Sequence, residues 1–138
     1  KMLTLAAQQA DIVGLNIDMR AGAIDERSGP TATADATDEK VAWIREAAGD
    51  RFDQLELQTR VHLTAVTDDP QGLAEAVGPT LGLTPAQALA SPHALAGPVE
   101  GIVDQILQRR ERWGISYITV SADAIDAFAP VVARLVGT

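Results

Sequence analysis

Residues 97–120 constrain the fold more than any other stretch of the chain. Val99, Ile102, Val103, Ile106, Leu107 and Trp113 recur at helical spacing and define one apolar face. Pro98 suits the first position of that helix, where a missing N–H would have had no partner and a fixed φ is already helical. Glu100 and Asp104 fall near the positive end of the helix dipole, and Arg109, Arg110 and Arg112 near the negative end. Gly114 is free to take the left-handed φ that closes a helix. Residues 115–120 follow at once, short, β-branched and aromatic, with no room for a two-residue hairpin before them. A helix running straight into a short buried strand is half of a β/α repeat, which predicts an α/β protein.

The other segments extend this pattern. Met2, Leu3, Leu5, Ala6, Ala7 and Ala10 make a helical stripe, and Ile12, Val13, Gly14 and Leu15 a short strand of the kind found in parallel sheets covered on both faces. Residues 16–38 read as a long loop, mobile or functional at that length. Thr37 or Asp38 is expected to cap a helix over 39–48, buried through Val41, Trp43 or Ile44, Ala47 and Ala48, and stopped by Gly49. The longest predicted strand is 55–66, where Leu57, Thr59, Val61, Leu63 and Ala65 alternate with Gln58, Arg60, His62 and Thr64. That alternation fits an edge strand with one wet face, or a barrel strand whose polar face looks into an interior site. Short helices are expected near 71–77 and within 81–90, the second capped by Thr84 with Pro85 at its first position. Ser91, Pro92 and His93 form a turn, Ser121 and Asp123 are cap candidates, and Pro130 is expected to open a final short helix. The predicted order is α-β-α-β-(α,α)-α-β-α, with about three parallel strands and helices outside them.

With 138 residues the chain makes one domain, and a formal charge of −8 argues against nucleic acid or an anionic membrane as its main partner. It has no cysteine, hence neither a disulfide nor a thiolate metal site. No apolar run approaches the ~20 residues of a membrane span, and a cytoplasmic location is the expectation. The chain begins Lys1, Met2, Leu3 already inside a helical pattern, and is read as a piece of something longer.

The usual catalytic motifs are missing: there is no Gly-x-Ser-x-Gly, no phosphate loop, and no Gly-x-Gly-x-x-Gly after a strand. No metal site is expected, because His62 and His93 lack acidic partners at ligand spacing. His62 reads as a hydrogen-bonded interior residue or as a base, and the cluster Arg109, Arg110, Glu111, Arg112 as a solvated helix end or a phosphate site. In parallel α/β proteins the ligand lies beyond the carboxyl ends of the strands, on the loops that follow. That rule nominates Gly14, Leu15, Asn16, Arg20, His62, Thr64, Ser91 and His93. No residue is marked as a catalytic acid or base.

Several segments resemble a known family. Leu3-Thr4-Leu5-Ala6-Ala7 with Ala10-Asp11-Ile12-Val13-Gly14-Leu15-Asn16, and Ala42-Trp43-Ile44-Arg45-Glu46-Ala47-Ala48-Gly49-Asp50-Arg51-Phe52, are similar to the latter half of bacterial luciferase-like monooxygenases. Ala90-Ser91-Pro92-His93-Ala94-Leu95-Ala96-Gly97 and Arg112-Trp113-Gly114-Ile115-Ser116-Tyr117 resemble the deazaflavin (coenzyme F-420) dependent oxidoreductases of actinobacteria. The resemblance runs over nearly the whole chain. It implies that residues 1–138 are the C-terminal half of a (β/α)8 barrel, the N-terminal half being absent. It further implies hydride transfer between coenzyme F-420, or alternatively flavin mononucleotide (FMN), and a small organic substrate. Gly14, Leu15, Asn16 and Arg20 would then bind the cofactor's phosphate-bearing tail, with His62, Thr64, Ser91 and His93 on the substrate or cofactor pocket. Half a barrel would self-associate or pack against its missing half. The competing expectation is a non-catalytic half-barrel, a binding or scaffold protein without cofactor.

Overall fold

In the computed structural model, which describes residues 1–20 and 22–138, Gly114 takes φ 74° and ψ 16° and closes the helix Val99–Trp113, and the strand Ile115–Thr119 starts on the next residue. The elements in chain order are α1 (Met2–Gln9), β1 (Ile12–Leu15), α2 (Ala34–Ala48), β2 (Glu56–Arg60), β3 (Leu63–Val66), α3 (Pro70–Val77), α4 (Pro85–Ala90), β4 (Ala94–Gly97), α5 (Val99–Trp113), β5 (Ile115–Thr119) and α6 (Ile125–Leu135). Strands β1, β2 and β5 form a parallel sheet in the order β1-β2-β5, and β3 and β4 a second, two-stranded parallel sheet. The α/β class and the three-stranded parallel sheet agree with the sequence.

The predicted strand 55–66 is interrupted. The Val61 N–H still donates to the Thr119 carbonyl at 2.8 Å, but the N–H groups of His62 and Leu63 both turn to the His93 carbonyl, at 2.8 and 3.3 Å. Two consecutive donors on one acceptor break the alternation of a strand, so the ribbon leaves β5 and joins β4. An uninterrupted barrel arc would place β4 between β2 and β5; here β2 pairs with β5 directly and β4 pairs with β3.

Two further expectations are corrected, and one alternative is resolved. Helix α2 begins at Ala34, capped by Thr33, whose hydroxyl accepts from the Ala36 N–H at 3.1 Å; Thr37 lies inside the helix, and so does Asp38. Ile44, fully buried, takes the core position for which Trp43, 53% exposed, was the alternative. Pro130 sits inside α6 rather than opening it, because Phe128 and Val131 are both buried and hold the helix on either side of the missing N–H.

One apolar cluster (Val13, Leu15, Ile44, Leu57, Trp113, Ile115) fills the space between the sheet and α1, α2 and α5. A second joins Val61 and Leu95 to Ile102, Ile106, Phe128 and Val131. The opposite side of the three-stranded sheet carries Ile12, Gly14, Glu56 and Arg60, all exposed in this chain. Among the described residues no helix is long and apolar enough to cross a membrane.

Candidate functional site

Beyond the carboxyl ends of β1 and β2 lies a cavity of about 280 Å³. Its apolar wall comes from Ile17 and Ile24 after β1 and from Val77, Leu81, Leu83 and Ala88 around α3 and α4. Its polar lining is Ser28, His62, Ser91 and His93, and among the described residues no Asp, Glu, Lys or Arg lines it.

Two buried cations and two hydroxyls tie the walls together through main-chain carbonyls. The Lys40 ammonium donates to the carbonyls of Asn16 at 2.8 Å and Thr31 at 2.5 Å. Arg109 donates to those of Ser91 at 2.9 Å, Pro92 at 3.3 Å and Ala94 at 2.5 Å. The Ser91 hydroxyl donates to the Ala32 carbonyl at 2.6 Å, and the Ser28 hydroxyl to the Asp18 carbonyl at 2.8 Å. Burial pulls the Lys40 ammonium below its ordinary value and the Arg109 guanidinium down to about 10.

His93 is 4% exposed, and its Nδ1 lies 3.0 Å from the Arg60 carbonyl and 3.3 Å from the Thr59 hydroxyl. A carbonyl oxygen only accepts, so Nδ1 carries the ring proton and Nε2 is left as a bare acceptor. That Nε2 is buried and has no protein partner, and the same holds for Nε2 of His62, whose ring lies 5.9 Å away at 37°. Burial holds both rings neutral, the His62 ring below its ordinary value and the His93 ring down at about 4, with Lys40, His62 and Arg109 adding to the effect on His93.

The sign of the resulting pH dependence follows from that depression. The folded state favours neutral His93, whereas the unfolded chain takes up a proton below its ordinary pKa of 6.5. The stability His93 contributes is therefore complete above pH 6.5 and drains as the pH falls towards 4. Between pH 6.5 and 5, where carboxylates contribute little, the loss is expected to be ~2 kcal/mol. Urea denaturation of wild type and His93→Gln checks it: the slope should fall by that amount in the variant, leaving only what the likewise depressed His62 supplies, and a wild type with no slope contradicts the assignment.

Of the residues nominated from sequence, His62, Ser91 and His93 come together on the cavity. Thr64 stands on β3 outside its lining, with a buried hydroxyl that has no partner. Gly14, Leu15, Asn16 and Arg20 do not assemble into one site. Leu15 is a core side chain, 1% exposed; Gly14 lies on the sheet's open side; and Asn16 caps the Ile17 N–H while its carbonyl receives Lys40. The Arg20 guanidinium is bound to Asp18, as Arg27 is to Asp25. The N–H groups of Ile17, Asp18 and Arg20 are all taken, by Asn16 Oδ1, Thr31 Oγ1 and Asp18 Oδ1. A phosphate-bearing tail is held by free donors or an unpaired cation, and these three N–H groups and the Arg20 guanidinium are engaged within the loop.

Arg109 and Lys40 were not singled out as site residues, yet both carried a signal. Arg109 continues the buried series Ile102, Ile106, Arg109, Trp113, and Lys40 the series Thr37, Lys40, Val41, Ile44. A cation on an apolar stripe is the mark of a buried charge with a structural task. Arg109 is thus neither of the alternatives weighed for its cluster: it is 5% exposed and holds a loop. Among the described residues no group of three or more His, Cys, Asp or Glu could hold a metal ion. Comparison of the chain with family models, curated proteins and solved structures finds no match.

Proposed function

We propose that the chain is the C-terminal part of a luciferase-like oxidoreductase barrel, and that its contribution to the reaction is the cavity beyond β1 and β2, which receives a small organic substrate. The observation that carries this reading is the position and chemistry of that cavity. It sits on the loops after parallel strands, has an apolar wall free of charged side chains, and bears two neutral imidazoles. In such an enzyme F-420 or FMN would supply the hydride chemistry, in either direction, and this chain's residues would bind the substrate and exclude water around it. The N–H groups of Ile17, Asp18 and Arg20 and the Arg20 guanidinium are engaged within the loop, which argues for the tail of either cofactor being held outside them.

The same occupancy favours a second reading, a half-barrel that binds a small apolar molecule without any cofactor. Isolation of the protein as its own cell makes it separates the two. The oxidoreductase reading expects a product of roughly a whole barrel, ~250 residues or more, that binds F-420 or FMN and quenches its fluorescence. A native product that binds neither cofactor removes that reading and leaves the binding protein.

A further inference from the structure

The hydrogen bonds around the cavity specify the chemistry of its occupant. Both serine hydroxyls on the wall spend their protons on main-chain carbonyls, Ser28 on Asp18 and Ser91 on Ala32. The Ser91 oxygen also accepts the His93 N–H at 3.1 Å. His93 spends its one ring proton on the Arg60 carbonyl, so what it retains is an acceptor, the buried and partnerless Nε2. A buried acceptor with no partner is costly, and a ligand that donates to it relieves that cost in proportion. A charged ligand finds no counter-charge on this lining and would lose its hydration for nothing.

Resting on the reading of the cavity as a ligand site, we propose that it takes an uncharged, mainly apolar molecule carrying one hydroxyl or N–H donor, phenol-like in size and polarity, with that donor on Nε2 of His93. A carboxylate or phosphate is disfavoured because no cation among the described residues lines the cavity, and a plain hydrocarbon leaves the acceptor unmet. His62, whose Nε2 is likewise without a partner and whose tautomer no carbonyl fixes, can then meet the ligand's second lone pair.

Phenol, toluene and benzoate are the probes, titrated into the full chain at pH 7.5 by calorimetry or ligand-observed NMR. A purely apolar cavity prefers toluene, because phenol gives up its hydration. The expected result is phenol bound at least as tightly as toluene, with benzoate undetected. In His93→Phe, phenol should lose about tenfold relative to toluene. Toluene tighter than phenol by tenfold in wild type, or benzoate the tightest, overturns the donor assignment while leaving the cavity a ligand site. Failure of both neutral probes to bind removes the ligand site as well. The wild-type ranking decides the matter even if the variant does not fold.

Discussion

Replacing Arg109 by methionine is expected to lower the free energy of unfolding by ~3 kcal/mol and the melting temperature by ~10 °C. The guanidinium is 5% exposed, and among the described residues it has no carboxylate partner. Its burial is therefore unfavourable in itself, and the carbonyls of Ser91, Pro92 and Ala94 are what it gains. Methionine fills much of the volume but leaves these acceptors unmet at ~1–3 kcal/mol each, partly offset by removal of the buried charge. Lysine should recover only part of the loss, since a point ammonium cannot span three carbonyls as a planar fork does. The same loop carries His93, so the substitution should also move a quantity that mere destabilisation would not. With the nearby positive charge gone, the His93 imidazole should titrate above its value of about 4, as followed by NMR. A loss below 1 kcal/mol, with His93 titration unchanged, would show that the loop holds itself.

The helix-to-strand unit at 97–120 was legible because three independent signals agreed: apolar spacing, a dipole-matched charge order, and a glycine at the stop. Strand β4 was not, because Ala94, Leu95, Ala96 and Gly97 carry no β-branched or aromatic residue and follow a proline turn. It is a strand by virtue of its partners: its ladder with β3 and the Arg109 bonds at its start are tertiary contacts. The break at Val61 and His62 was hidden for a related reason. The side-chain alternation continues through it, and only the change of hydrogen-bond partner divides the ribbon.

For the site, position along the fold located the cavity but did not choose among the residues near it. The rule that ligands lie beyond strand carboxyl ends found His62, Ser91 and His93, which do meet on one cavity. The segment after β1 was located correctly as one wall of that cavity, through Ile17 and Ile24, but the polar residues nominated there, Asn16 and Arg20, do not line it, and Ser28, which does, was not nominated. Arg20 was nominated by its position after β1 and by the resemblance, and its guanidinium pairs with Asp18 two residues earlier. The burial of Lys40 and Arg109 was readable from helical spacing, and neither lines the cavity. Arg109 holds Ser91 and Ala94, which do, and Lys40 holds Asn16 and Thr31, next in sequence to the lining residues Ile17 and Ala32.

Gly29→Ala and Gly101→Ala, the same chemical change at two places, should act with opposite sign. A Cβ on Gly29 would lie 1.9 Å from the Leu81 carbonyl oxygen and 3.1 Å from its carbon, both backbone atoms with no flexible end to swing aside. The two segments in contact, one before α2 and one before α4, both line the cavity. Alanine at 29 must push them apart, at ~3 kcal/mol or more of stability, and phenol binding should fall at least tenfold as the walls separate. At Gly101, in the first turn of α5, the added methyl meets only Pro98 ring atoms at 3.4 and 3.5 Å, an ordinary contact. There alanine lowers the entropy of the unfolded chain and should stabilise by ~0.5–1 kcal/mol, without touching the cavity. Urea midpoints and phenol titrations on the two variants test the pair together. Equal effects on stability, or a Gly29→Ala protein that binds phenol like wild type, would mean that the walls are not held in the close approach that shapes this cavity.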